Sequence, residues 1–134
     1  MIAPMRSRFS VLVIALLAIG CSKSPEEQYN LGVMYTNGEG VPQDDVEAVK
    51  WYRLAADQGN AKAQFNLGVR YANGKGVPRN YVLAYAWINI VAANGAEKAK
   101  ELKKRVSKIM TQEQIAEAQK LSREISREIE EKNN

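Results

Sequence analysis

The sequence contains no histidine and only one cysteine among its 134 residues. The commonest general base and metal ligand is therefore missing. A lone thiol closes no intramolecular disulfide, and without histidine it offers neither a zinc site nor a Cys–His nucleophile pair. Proline is scarce, at four residues. The one long apolar run, Phe9 to Ile19 interrupted by Ser10, falls short of the roughly 20 residues that cross a bilayer as a helix. Fifteen Asp and Glu are scattered along the chain, and nothing in their spacing forces two carboxylates into one pocket. These absences point away from an enzyme, and no metal or cofactor is expected.

What is present begins with a leader. Arg6 and Arg8, the apolar run and then Gly20-Cys21 follow the order of a secretory signal. The stretch LLAIGC resembles the lipobox of bacterial lipoproteins, with Ala18 where that family favours leucine. The resemblance implies a signal peptide over 1–20, lipid attachment at Cys21, and a short tether over 21–25. Ser22 directly after the cysteine implies a periplasm-facing outer-membrane location, with a soluble periplasmic or secreted protein as the alternative. Losing Arg6 and Arg8 lowers the net charge from +4 to +2, so the basic pI of about 9.2 says little about nucleic acid. No basic tract with interleaved aromatics occurs, and nucleic acid is not an expected partner. The cluster Lys103, Lys104, Arg105 and Lys108 reads as a solvated helix face, with contact to anionic lipid headgroups as a second reading.

The rest of the chain repeats itself. Residues 28–63 align with 64–99 without a gap, and 18 of the 36 positions are identical. Within each unit the apolar period is helical: Leu31/Tyr35 and Leu67/Tyr71 are four apart, and Ala48/Trp51/Ala55 matches Ala84/Trp87/Val91 at steps of three and four. Gly32 and Gly68 lie inside the first helix of each unit, where glycine costs roughly 1 kcal/mol relative to alanine. Close approach of Trp51 or Trp87 is the expected reason. Gly59 and Gly95 stand where a left-handed residue would end the second helix. One helix pair cannot bury both faces, so pairs must stack. The tail supplies two more helices, the second opened by Thr111 and Gln114 of TQEQ as a capping box. Repeat 1 is expected over 26–63, repeat 2 over 64–99, and capping helices over 96–134. A dimerising role for the last helix, through Ile125 and Ile129, is the alternative to a cap.

The unit YNLGVMYTNGEGVPQDDVEAVKWYRLAADQGNA, with LG-x-x-Y, NG-x-GVP, A-x-x-W and A-x-x-G, resembles the Sel-one-like repeat family, relatives of the tetratricopeptide repeats. The likeness implies an all-α, right-handed α/α superhelix of two helix-pair repeats plus a C-terminal capping pair. It also implies an adaptor of the cell envelope that holds another protein or peptide; the alternatives are a self-assembling structural envelope protein and, last, a cell-wall-acting enzyme with a converging carboxylate pair. In the second unit Ile88-Asn89-Ile90 replaces Tyr52-Arg53-Leu54, so that helix should be more covered.

The glycine loops NGEGVP and NGKGVP do not make a phosphate cradle. Five residues separate Gly68 from Gly74-Lys75 where four are needed, and Gly76 stands where Ser or Thr should be. Alternating Asp or Asn calcium ligands are absent too. Gly38, Gly40, Gly74 and Gly76 are expected to turn the chain, with Pro42 and Pro78 extended before the caps Asp44 and Asn80. Candidate partner-binding residues are Asn30, Met34, Asn66 and Arg70 beside the core stripe. The asparagines would bond a partner backbone and Arg70 a carboxylate. An equal reading makes Asn30 and Asn66 inter-helix structural bonds. Tyr81 and Tyr85, unmatched in the first unit, form a second candidate patch. The chain is expected to be a monomer.

Overall fold

Among the described residues, all but one of the helices begin at a residue whose side chain caps them. The computed structural model describes residues 23–134, so the signal peptide and Cys21 lie outside the described residues. Ser24 accepts from the Glu27 amide, Glu27 accepts from the Ser24 amide at 3.3 Å, and Pro25 sits in the first turn, where its missing N–H is no loss. These open α1, Pro25–Asn37. Asp44 accepts from Val46 and Glu47 to open α2, Asp45–Asp57. Asn60 opens α3, Ala61–Asn73, and Asn80 opens α4, Tyr81–Ala93. α5, Glu97–Ser107, starts at Ala96 with no side-chain cap. α6, Gln112–Asn133, starts on the Thr111/Gln114 box. No strand occurs among the described residues.

The helices pack in chain order, α1 on α2, α2 on α3 and α3 on α4, and α4 then receives both α5 and α6. This is an α/α solenoid of helix-pair repeats closed by two C-terminal helices. Its corners are the glycine loops. Gly38 and Gly40 have φ of 68° and 75°, and Gly74 and Gly76 have 64° and 78°, a region that side chains with a Cβ resist. Both loops close with the same bond: the Asp44 amide donates to the Tyr35 carbonyl and the Asn80 amide to the Tyr71 carbonyl, each at 2.9 Å.

The glycines inside α1 and α3 make room for a different neighbour than the sequence suggested. A Cβ at Gly32 would lie 2.5 Å from Tyr52, and one at Gly68 2.6 Å from Ile88. One residue is a rotation of about 100° on a helix, so the residue after each tryptophan is the one that points at the glycine. Trp87 is buried elsewhere in the core and Trp51 is only half-buried. Ile88 is fully buried and Ile90 nearly so, whereas Leu54 keeps 36% of its surface, so the second repeat's apolar helix is indeed the better covered.

The last helix folds back along the array. Ala118 and Ile129 are buried and Ile125 packs against the core, so the side chains that would carry a dimer are turned inward. Ile129 reaches the Gly59 corner at the end of α2, 3.4 Å from where a Cβ there would stand. Asn89 of α4 donates to Ser122 of α6 at 2.8 Å and accepts from Lys103 of α5 at 3.2 Å, so one polar chain links three helices.

Candidate functional site

The 36-residue period stacks equivalent positions of α1, α3 and α5 above one another. Lys62 of α3 donates to Glu26 of α1, the residue 36 places earlier, at 3.4 Å, and its ammonium lies 5.6 Å from the centre of the Tyr29 ring. The same period relates Tyr29 to Phe65, Val33 to Val69 and Arg105, and Lys62 to Lys98. On α3, Phe65, Val69 and Asn73 follow at four-residue steps and therefore share one face.

Three adjoining grooves run over this face. The first, about 360 Å³, is walled by Tyr29, Lys62, Phe65, Asn66, Ala96 and Ala99 among others. The second, about 350 Å³, lies between α3 and α5, with Phe65, Val69 and Leu102 as apolar wall and Lys98, Glu101 and Arg105 as charged rim. The third, about 270 Å³, is polar, with Thr36, Asn66, Arg70, Asn73 and Lys75. Phe65 and Lys98 belong to the first and second grooves, Val69 and Asn73 to the second and third, and Asn66 to the first and third. A larger hollow of about 500 Å³ lies where α6 crosses the ends of α2 and α4. It is a gap in the closure of the last helix and shares only Gln64 with α3, so it does not continue the face.

Of the residues singled out in sequence, Asn66 falls at the crossing of two grooves. Its side chain makes no hydrogen bond among the described residues, nor does that of Asn30, which is exposed outside the groove walls. Met34 is half-buried against its own loop, its Cε 3.6 Å from where a Gly40 Cβ would be.

Two readings are corrected. Arg70 is not free to grip a partner carboxylate. It is 7% exposed, donates to Asp45 at 2.5 Å and to Thr36 at 2.8 Å, and its guanidinium lies 5.9 Å from the Tyr52 ring centre. Thr36 in turn bonds the Tyr52 hydroxyl at 2.9 Å. Burial alone would push the Asp45 carboxyl up, but hydrogen bonds from Arg70 and Gln43, with the charges of Arg70 and Lys75, hold it below the usual carboxylate range. Arg70 thus joins repeat 2 to repeat 1. Tyr85 is 5% exposed and belongs to the core, because α4 is enclosed by α3, α5 and α6. Tyr81 is half-buried under the Arg79 guanidinium, 5.6 Å from its ring centre, and lies outside the grooves.

The basic cluster is divided in the same way. Lys103 is tied to Asn89, Arg105 rims the second groove, and Lys104 and Lys108 are solvated. Phe65, Val69, Lys98 and Leu102 were not singled out in sequence. Extending the 36-residue alignment into α5 is the signal that finds them.

The comparisons agree with this geometry. The Sel1 repeat model matches residues 28–60 and 61–95. Among solved structures, the chain is similar to c5321, a protective antigen present in uropathogenic Escherichia coli strains and displaying an SLR fold. That match has 34% identity, a TM-score of 0.77 and 81% coverage of this chain. It is also similar to a Sel1 repeat protein from Oxalobacter formigenes, at 42% identity and a TM-score of 0.59 over 60% of this chain. The chain spans about a quarter (24%) of the length of the first and 61% of the second. Two tandem matches, the stacked helix pairs and the glycine corners agree, and the chain belongs to the Sel1 repeat family.

Proposed function

We propose that the protein is a non-enzymatic scaffold of the bacterial cell envelope, held at the membrane by a lipid on Cys21, that binds another protein along the α1–α3–α5 face. The observation that carries the binding reading is Asn66: an amide with no hydrogen bond among the described residues, set where the mainly apolar first groove meets the polar third. Amides placed this way offer a donor and an acceptor to an incoming backbone. The anchor reading rests on LLAIGC at 16–21 and on the few residues between Cys21 and the Ser24 cap. At roughly 3.5 Å per residue such a tether reaches little more than about 15 Å, which keeps the array beside its membrane.

A photo-crosslinking residue at Asn66 tests the face directly. Adducts are expected in living cells from position 66 and not from Lys50, an exposed residue of α2. Equal adducts from both, or none from 66, would remove the face. In parallel, Cys21→Ser should move the protein to the soluble periplasmic fraction, and unchanged membrane association would remove the anchor.

Assembly through the last helix is not favoured, since Ile125 and Ile129 are packed inward.

A further inference from the structure

Resting on the groove reading above, we infer that the occupant of the α1–α3–α5 face is an extended segment that alternates apolar side chains with carboxylates. Charge is the first reason. The walls of the three grooves carry five cations, Lys62, Arg70, Lys75, Lys98 and Arg105, against one acid, Glu101. Arg70 is neutralised by Asp45, and Lys62 is drawn to Glu26 with its side chain still 66% exposed. Lys98 and Arg105 form no ion pair and no hydrogen bond among the described residues, and Lys75 has only the more distant charge of Asp45, already bonded to Arg70. Unpaired cations beside a low-dielectric wall focus a positive potential into the groove and attract anionic segments.

Geometry gives the spacing. From Lys62 to Asn73, α3 runs eleven residues, about 16 Å at 1.5 Å per residue. An extended chain covers that span in about five residues at 3.3 Å each, with alternate side chains pointing the same way. Those pointing in meet Tyr29, Phe65, Val69 and Leu102. Those on the opposite face are left to the flanking cations, Lys98 and Arg105 of the second groove and Lys75 of the third. The Asn66 amide lies between, in reach of the segment's backbone.

The test uses the full chain in detergent and three fluorescein-labelled hexapeptides, in which phenylalanine alternates with glutamate, glutamine or lysine. Charge-assisted bonds to carboxylate exceed neutral ones by enough that the glutamate peptide should bind about tenfold tighter than the glutamine one, and the lysine peptide weakest. The preference should weaken as salt is raised. The double variant Lys98→Glu/Arg105→Glu, altered only at exposed positions, should invert the order of the glutamate and lysine peptides with its melting temperature unchanged. Phe65→Ala should weaken all three. Equal binding of the glutamate and glutamine peptides that is still lost in Phe65→Ala would overturn the acidic segment and leave the groove standing. Binding indifferent to both variants would overturn the groove as well. No binding of any peptide at about 1 mM would overturn the acidic assignment and leave the face to the crosslinking result.

Discussion

Leu31 and Leu67 hold the same position in repeats that share half their residues, yet Leu67 is sealed from solvent and Leu31 is only half-buried. The contrast continues through the unit. Tyr71 is 5% exposed and Tyr35 half-buried, and Ile90 is 9% exposed where Leu54 keeps 36%. Gly76 is pressed onto the backbone carbonyl of Asp45 at the start of α2, while Gly40 has only the Met34 methyl nearby. Identical local rules built both units. The difference is that repeat 2 has a helix pair on each side and repeat 1, among the described residues, has one on one side only. A repeat's sequence therefore specifies its own shape, whereas its stability is drawn largely from its neighbours.

Paired substitutions can break that comparison. Leu67→Ala removes a fully buried side chain and should cost about 3 kcal/mol, against about 1 kcal/mol for Leu31→Ala. Thermal unfolding followed by circular dichroism reads the gap, and equal costs would show that the neighbour contributes nothing. Next come the corners. Gly76→Ala meets both a positive φ and the Asp45 carbonyl, and should cost about 2–3 kcal/mol; Gly40→Ala meets the positive φ alone, at about 1–2 kcal/mol. The same melts measure both, and a cheaper Gly76→Ala would mean that α2 yields to the loop.

The smallest effect is in pH. Asp45 is charged at neutral pH and its folded pKa lies below the ordinary value of 3.8. Its interactions therefore contribute stability above about pH 4, and that contribution is lost as pH falls through the folded value. Arg70→Met installs the residue that repeat 1 carries at Met34, so the acid-side loss of stability should become shallower than in the parent chain. Denaturant midpoints taken between about pH 5 and pH 2.5 test this, and identical slopes would unseat the ion pair as a joint between repeats.

The helix ends, the corners and the capping boxes were legible in the sequence because each depends on one or two residues with a strong local preference: Ser24 with Glu27, Thr111 with Gln114, and the glycines at positive φ. The register of one helix against the next was not. Trp51 and Trp87 stood out by size, but Tyr52 and Ile88 face the glycines, and a shift of one residue on a helix leaves no trace in its period. Arg70 was legible as an unusual residue on the right helix. That it is held by Asp45 and Thr36 depends on how two repeats dock, which no single repeat encodes. The groove walls were hidden because Phe65 and Leu102 carry no mark within a single repeat, and only the seating of α5 beside α3 brings them to one wall.

The path of α6 alters the way such an array comes apart. Stacked repeats that touch only their neighbours melt from the ends inward, one unit loosening while the next stays whole. Here Ile129 and Asn133 reach the Gly59 corner of the first unit, and Lys132 is close enough for its charge to act on Asp57 in the last turn of α2. The last turn of α6 thus touches the corner that ends the first helix pair while its body packs on α4 of the second. Opening of α6 therefore loses contacts to both pairs. Amide exchange in the cores of α2 and α4 should then report one shared opening free energy, not a gradient along the stack.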